Sequence, residues 1–212
     1  MNDKITLIFS DSTYQGEVKD GEPNGWGVKT YENGRVYEGQ WVNGKLSGDG
    51  IFYLNGYMRY SGEWAGGRQH GKGTSYYPNG NIEYDGEWKL GERHGEGTAY
   101  HQSGNIEYCG SYMNDKKYGD GTAFDEQGVK IYSGEWSNNK RQGKSTSFYP
   151  DGSKKYDGDW HNDEPHGYGS YYYESGSAYH GDWVHGSRHG FGTLVTESGV
   201  FRGNFTNGSG QY

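Results

Sequence analysis

Four histidines occupy equivalent places along the chain, each directly before a glycine: His70, His94, His166 and His189. Imidazole is a common zinc ligand, and a zinc ion needs its ligands at about 2.0–2.1 Å. If each histidine belongs to a separate β-hairpin, neighbouring copies stand two strands, or about 9.5 Å, apart. Two such rings cannot share one ion without leaning far inward. We therefore predict no metal site, and the denser group His180, His185 and His189 does not change this prediction.

Acidic residues also recur at one fixed place, directly after a glycine: Glu17, Glu63, Glu87, Glu135, Asp159 and Asp182. A catalytic acid–base pair would be unique within the chain, whereas periodic placement predicts a solvated acidic face. Gly143-Lys144-Ser145 lacks the upstream glycine of a phosphate-binding loop, and no Gly-x-Ser-x-Gly nucleophile motif occurs. We predict that the protein is not an enzyme and uses no cofactor.

These residues are positioned by a repeated motif, Tyr-x-Gly-x-Trp. Full copies begin at Tyr37, Tyr60, Tyr84, Tyr132, Tyr156 and Tyr179, and looser copies at Tyr14 and Tyr108. The segment Phe201–Phe205 begins a ninth. The motif glycines are spaced by 23, 23, 24, 24, 24, 24, 23 and 22 residues, and each of the first eight is followed by another glycine after nine residues. Such self-similarity is the signature of a repeat architecture.

Each motif reads as a β-strand, because residues i, i+2 and i+4 share one face of a strand. Asn79-Gly80, Ser103-Gly104, Gln127-Gly128 and Asp151-Gly152 are predicted as two-residue hairpin turns. Counting outward from the first turn places Gly73 opposite Gly86 and Gly71 opposite Trp88. The next loop then places Trp88 opposite Gly95 and Gly86 opposite Gly97. In the 23-residue repeats, three-residue loops after Tyr31 and Tyr173 preserve the register.

We therefore predict an all-β fold, an elongated single-layer antiparallel meander of repeated β-hairpins that is twisted or curved and carries a groove. About seventeen strands are expected. Residues 1–13 are predicted to hold an N-terminal capping strand at Lys4–Ser10, and residues 14–212 to form one domain, the repeat array. Helix is disfavoured because glycine occupies 40 of the 212 positions.

Composition restricts the environment and the partners. The net charge of −8 argues against nucleic acid, whose phosphates attract clustered Lys and Arg. Cys109 is the only cysteine, so no internal disulfide forms, which fits a reducing compartment. The apolar stretch Ile5–Phe9 is too short for a signal-peptide core, and no run approaches a membrane span. These features predict a cytoplasmic protein.

The longer pattern Tyr-x-Gly-x-Trp-x-x-Gly-x-x-His-Gly-x-Gly resembles the MORN repeat over residues 14–208, with eight full repeats and a partial ninth. Departures include Val18 and Tyr112 in place of Trp, and Ser145 in place of the second Gly of Gly-x-Gly. Choline- and glucan-binding repeats are also aromatic and Gly-rich, but their period is nearer 20 residues.

The resemblance implies a grooved sheet that serves as a protein scaffold in cytoskeletal, ciliary or cell-division assemblies, or at membrane junctions. Some relatives are reported to bind phosphoinositides, and others adjoin catalytic domains. We predict a non-catalytic scaffold that binds another protein through an aromatic groove and through its sheet ends, which also allow homo-oligomers. Two alternatives stay open, a peripheral membrane protein and an accessory subunit of an enzyme complex.

The predicted groove is lined by aromatic residues that the motif places on one face: Tyr37, Trp41, Tyr60, Trp64, Tyr84, Trp88, Trp136, Trp160, Tyr179 and Trp183. Such a groove accepts an amphipathic helix or an extended segment. The acidic net charge favours a partner with basic flanks. The competing interpretation is that the rings pack on one another and on the glycines as the core of the protein.

The membrane alternative depends on basic residues in the loops between Trp and His-Gly: Lys45, Arg68, Arg93, Lys116, Lys117, Lys140, Arg141 and Arg188. Together they form a predicted rim for anionic lipid, each contributing about 1 kcal/mol near such a surface. Asp115, Asp163 and Glu164 interrupt this rim, so solvated loops are the simpler interpretation.

Overall fold

The computed structural model describes residues 4–210, and these residues form strands joined by tight turns, with no helix among them. It confirms the predicted all-β antiparallel meander of hairpins. The chain divides into two compact units, residues 4–105 with 113–115 (the N-unit) and residues 106–112 with 116–210 (the C-unit). Each unit consists of strands that pair antiparallel in chain order.

The N-unit holds nine strands: β1 (Ile5–Ile8), β2 (Ser12–Lys19), β3 (Glu22–Tyr31), β4 (Arg35–Val42), β5 (Lys45–Leu54), β6 (Tyr57–Ala65), β7 (Arg68–Tyr76), β8 (Ile82–Lys89) and β9 (Glu92–Tyr100). The predicted N-terminal strand is present as β1, which pairs with β2 and is shorter than the predicted range Lys4–Ser10.

The C-unit holds β10 (Ile106–Met113, except for its last residue), β11 (Lys116–Phe124), β12 (Lys130–Ser137), β13 (Lys140–Phe148), β14 (Lys154–His161), β15 (Glu164–Tyr172), β16 (Ala178–Val184), β17 (Ser187–Thr196), β18 (Gly199–Thr206) and β19 (Ser209–Gly210). The described residues therefore form nineteen strands rather than about seventeen.

The strand register follows the glycines. Gly73 pairs with Gly86, and Gly86 pairs in turn with Gly97, as predicted. The predicted pairing of Trp88 with Gly95 is wrong, because Trp88 stands opposite Arg93 and the register shifts just after Gly86. Gly95 has a φ of 56°, and this left-handed conformation accommodates a β-bulge at that position.

The turns at the two ends of the hairpins differ. Asn79-Gly80 is not a two-residue turn: the amide of Tyr77 donates to Asn81 across a three-residue loop, and a bulge between Ser75 and Tyr76 restores the register. At the opposite end, Leu90-Gly91 is a two-residue turn with both φ angles positive, at 55° and 93°. This geometry suits the twist of a hairpin.

From Asn43-Gly44 onward, the two-residue turns at this end of the hairpins are also hydrogen-bonded to the hairpin before them. The amide of Gly67 donates to the carbonyl of Leu46, and that of Gly91 donates to Gln69, both at 2.8–2.9 Å. The same bond recurs in the C-unit, where the amide of Asp163 donates to Arg141. Consecutive hairpins are therefore joined at their turns as well as along their strands.

The core of both units is a ladder of aromatic rings. Tyr60 is fully buried, and its ring meets Trp64 of the same strand and Trp88 of the next motif edge-on, at 5.1 and 5.4 Å. Its hydroxyl donates to the carbonyl of Glu63, and the Trp88 indole donates to the carbonyl of Gly73. These bonds satisfy the polar ends of the buried rings, which would otherwise cost stability.

The glycines beneath the rings are required by close packing. A Cβ on Gly73 would lie 2.1 Å from the hydroxyl of Tyr60 and 2.4 Å from the ring carbon that carries it. A Cβ on Gly86 would lie 2.6 Å from the α-carbon of Gly97 and 2.6 Å from the hydroxyl of Tyr84. The ring and the neighbouring strand therefore occupy the space that any side chain would need.

We expect Gly73→Ala to lower the free energy of unfolding by about 1–3 kcal/mol, because the added methyl group displaces the Tyr60 ring. Lys72→Ala, one residue away on an exposed side chain, is the matched control and should change stability by about 0.5 kcal/mol or less. Urea unfolding of both variants measures the difference. Equal midpoints would contradict this account of the glycine.

Candidate functional site

The predicted groove residues form the interior of the ring face, the sheet surface that carries the Tyr and Trp rings. Tyr37 is half-buried, and the other nine are at most 9% exposed: Trp41, Tyr60, Trp64, Tyr84, Trp88, Trp136, Trp160, Tyr179 and Trp183. They contact one another as the competing interpretation expected. Their role in binding a partner stays a prediction, and any partner would mainly meet the side chains that stand around them.

A cleft of about 470 Å³ opens on the ring face of the N-unit. Aromatic and aliphatic side chains line part of it, and a polar set lines the rest: Phe52, Leu54, Tyr84 and Trp88 with Arg59, Gln69, Ser75, Glu83, Arg93 and Asp115. Polar residues outnumber apolar ones in this lining, so the cleft offers hydrogen-bonding and charged groups beside a smaller apolar surface.

The C-unit carries a cleft of about 440 Å³ at the equivalent place, three repeats further along. Tyr156 and Trp160 correspond there to Tyr84 and Trp88. The complete lining is Ile131, Arg141, Ser147, Phe148, Lys155, Tyr156, Trp160, Asp163, Pro165 and Tyr171. The repeat thus creates the same cleft twice and changes the side chains around it.

Sequence reasoning missed Glu83 and Lys155 as cleft residues. Strict alternation along a strand places the residue before a buried Tyr on the opposite face. The bulges between Ser75 and Tyr76 and between Ser147 and Phe148 break that alternation at the start of the next strand. Lys154, which alternation would have placed with Tyr156, instead pairs with the carboxylate of Asp157 at 2.6 Å. The sequence signal that could have revealed these bulges is the one residue by which the 24-residue repeats exceed the 23-residue repeats.

The predicted basic rim separates into two sets. The first residue after each two-residue turn is exposed: Lys45, Arg68, Lys116 and Lys140. The next residue is half-buried against the core rings: Arg93, Lys117, Arg141 and Arg188. Only the first set retains the exposure that the predicted lipid rim needs. Whether either set contacts lipid stays a prediction.

Arg141 shows how the second set is held. Its guanidinium lies 4.3 Å from the centre of the Trp160 ring, and it donates to the carboxylate of Asp163 at 3.3 Å and to the carbonyl of Asp163 at 2.9 Å. Arg93 makes the equivalent bonds to Asp115. Cation–π contact and these bonds fix both side chains at the cleft margin.

The periodic carboxylates have a structural role. Glu63 accepts a hydrogen bond from the amide of Lys72 at 2.8 Å, and Asp159 accepts one from Tyr168 at 3.1 Å. Each of these carboxylates therefore packs against the glycine at the bulge of the neighbouring strand, Gly71 for Glu63 and Gly167 for Asp159. A Cβ on Gly71 would lie 2.5 Å from the Glu63 carboxyl carbon, so this glycine makes room for a carboxylate rather than for the Trp88 ring.

The histidines do not assemble into a metal centre. Within residues 4–210, no three His, Cys, Asp or Glu side chains are placed to hold an ion. His180 bonds to the hydroxyl of Ser170 at 2.7 Å, and His185 lies 3.1 Å from the Glu164 carboxylate. His166 lies between His161 and His185, with ring centres 5.7 and 5.6 Å away.

The buried tyrosines resist ionisation. Burial first, and then the nearby Asp182 carboxylate, raises the pKa of Tyr179 to about 12. Burial and the neighbouring Glu63 also raise the pKa of Tyr60, and burial raises that of Tyr84 and Tyr156. Their phenols therefore stay neutral hydrogen-bond donors rather than serving as bases.

The fold and these clefts define a repeat protein whose hairpins pack through aromatic rings within each unit. A model of the MORN repeat matches residues 14–34, 37–56, 60–82, 84–106, 132–154, 156–178 and 179–200. The chain therefore belongs to the MORN-repeat proteins, which are typically non-catalytic and commonly take part in protein or membrane interactions. The match contains seven repeats, slightly fewer than the eight and a partial ninth expected. No curated protein matches the chain.

The segment between the fourth and fifth matched repeats nevertheless has the same local structure. Tyr108 is fully buried, and a Cβ on Gly121 would lie 2.1 Å from its hydroxyl. Tyr112 occupies the place of the missing Trp and is 4% exposed.

No described residue belongs to a helix that could cross a membrane.

We expect stability to fall in alkali. Below pH 10 these tyrosines are neutral in both states, so their contribution is constant. As the pH rises from 10.0 towards about 12, the unfolded chain ionises before Tyr179 does in the folded protein, and the free energy of unfolding decreases. Thermal melts between pH 8 and 12, followed together with phenolate absorbance, measure this. Phenolate formation by every tyrosine well before unfolding would contradict it.

Proposed function

We propose that this protein is a non-catalytic scaffold that binds a partner protein across its ring-face clefts. The observation that supports the proposal is the pair of equivalent clefts, in which apolar side chains adjoin fixed charged groups. Ile131 is 41% exposed and lines the C-unit cleft together with Phe148 and Tyr171, and adjoining apolar side chains at the surface are a usual place for contact. A cytoplasmic location in a cytoskeletal, ciliary or other large assembly accords with this role.

The opposite sheet surface, here the outer face, offers the natural comparison. Tyr168 and Phe191 each precede a glycine whose added Cβ would meet a core tyrosine ring, so their own side chains lie on the opposite face. They are 61% and 62% exposed. They therefore provide exposed aromatic residues that lie outside both clefts.

We expect Ile131→Glu combined with Leu54→Glu to weaken partner binding at least about tenfold, because each change places an unpaired carboxylate in an apolar part of a cleft. Phe191→Glu is the control on the outer face and should retain binding. Circular dichroism melts first establish that the variants fold. The measurement is affinity purification from the native source, with quantitative mass spectrometry of the recovered partners.

Two results of that experiment would contradict the cleft assignment. Partners lost with Phe191→Glu but retained by the cleft variant would place binding on the outer face. Partners lost only when residues 4–10 are deleted would place binding at the sheet end, where Ile8 of β1 is 84% exposed. The second result would also support joining of copies through their edge strands.

A second candidate function is peripheral membrane attachment through the exposed basic set. Among the ion pairs of residues 4–210, none includes Lys45, Arg68, Lys116 or Lys140, so these cations are available to anionic headgroups. Their number in each unit is small. At about 1 kcal/mol for each cation, the attraction is weak unless several act together.

We expect weak flotation of the protein with phosphoinositide vesicles at physiological salt, and a further loss for Lys116→Glu combined with Lys140→Glu. Lys72→Glu combined with Lys144→Glu alters net charge equally, at the middle position of Gly71-Lys72-Gly73 and of its variant Gly143-Lys144-Ser145, and should float like the wild type. Strong flotation abolished by the first pair alone would favour the membrane function over the scaffold.

A further inference from the structure

The two equivalent clefts differ in charge. The N-unit cleft is lined by two cations, Arg59 and Arg93, and by two carboxylates, Glu83 and Asp115, of which Asp115 pairs with Arg93. The C-unit cleft is also lined by two cations, Arg141 and Lys155, but by a single carboxylate, that of Asp163. One cleft is therefore balanced, and the other carries an excess positive charge in a chain whose net charge is −8.

The excess resides on Lys155. Asp163 is already engaged, since its carboxylate accepts hydrogen bonds from the amide and side chain of Arg141 at 2.9 and 3.3 Å. Lys155 takes part in none of the ion pairs found between residues 4 and 210, and its ammonium lies 5.4 Å from the centre of the Tyr149 ring. At the equivalent position of the N-unit, Glu83 has the opposite charge.

The surroundings of Lys155 are apolar. Ile131, Phe148 and Tyr171 line the same cleft, with the Trp160 ring at its base. A cation at the margin of apolar surface matches a ligand that carries an anionic group next to an apolar side chain. Such a ligand gains a charge-assisted contact together with the burial of apolar area.

We propose that the C-unit cleft binds an acidic amphipathic segment of the partner protein, with a carboxylate on Lys155 and an apolar side chain against Ile131 and Tyr171. This inference rests on the proposed scaffold function and names the chemistry of its partner. It reverses the expectation of a partner with basic flanks, because the local charge of the cleft is opposite to the charge of the whole chain.

The test compares two small probes of the same shape. 3-Phenylpropionate carries a carboxylate beside an aromatic ring, and 3-phenylpropanamide replaces that carboxylate with a neutral amide. Titrations followed by nitrogen–proton NMR report the C-unit cleft through the Trp160 indole and the N-unit cleft through the Trp88 indole. We expect the carboxylate to bind at Trp160 about fivefold more tightly than the amide, and no such preference at Trp88.

Three variants assign the preference. Lys155→Gln should abolish it at Trp160. Lys154→Gln removes the same charge one residue away, where the side chain pairs with Asp157, and should leave the preference unchanged. Glu83→Lys should create a carboxylate preference at Trp88, because it leaves Asp115 as the one carboxylate among three cations and so gives the N-unit cleft an excess of positive charge as well.

The inference is overturned if both probes bind equally at Trp160, if neither binds there, or if Lys155→Gln keeps the preference. It is also overturned if anionic vesicles, rather than the probes, bind in a manner that depends on Lys155. The scaffold proposal can survive each of these results, because it is tested by the cleft variants against native partners. If the cleft variants retain all native partners while the probes still show the carboxylate preference, the scaffold proposal is wrong and the cleft is a carboxylate site without a protein partner.

Discussion

A tyrosine ring lying on glycine is the contact on which both units depend. The rings of Tyr60, Tyr84, Tyr156 and Tyr179 each cover a glycine of the next strand, and each hydroxyl donates to a carbonyl three residues further on, as Tyr156 does to Asp159 at 2.9 Å. A single layer has no second sheet to cover its apolar face. The rings solve this problem by covering one another edge-on, with the strands brought close enough by the glycines.

Because this core consists mostly of motif residues, the positions around it can vary while the ring packing is kept. Ile131 replaces Arg59, and Lys155 replaces Glu83, above rings that are packed alike. The charge of each cleft is therefore set by residues that contribute little to the core. One repeated core can carry different charges in different repeats.

The sequence predicted the register of the glycines because the motif period leaves no other way to keep every Tyr and Trp on one face. It did not predict that Trp88 faces Arg93, since a bulge at a glycine adds a residue without disturbing the period. The same limit hid Lys155, whose side of the sheet depends on a bulge at Ser147. The burial of Trp160 was foreseen only as an alternative, because alternation assigns a face and says nothing about what covers it.

A backbone hydrogen bond joins the two-residue turn of one hairpin to the hairpin before it, as the amide of Gly186 donates to the carbonyl of Pro165. Each hairpin is therefore a template for the one that follows. Within a unit, the preceding repeat already presents a free acceptor carbonyl, a glycine surface and the edge of an aromatic ring in their folded positions, and the next strand pair packs against them. Ordering can therefore spread along the chain one repeat at a time, with the loop-closure entropy of only a short segment lost at each step. During synthesis, a hairpin that has just left the ribosome would find its docking site already complete in the repeat before it.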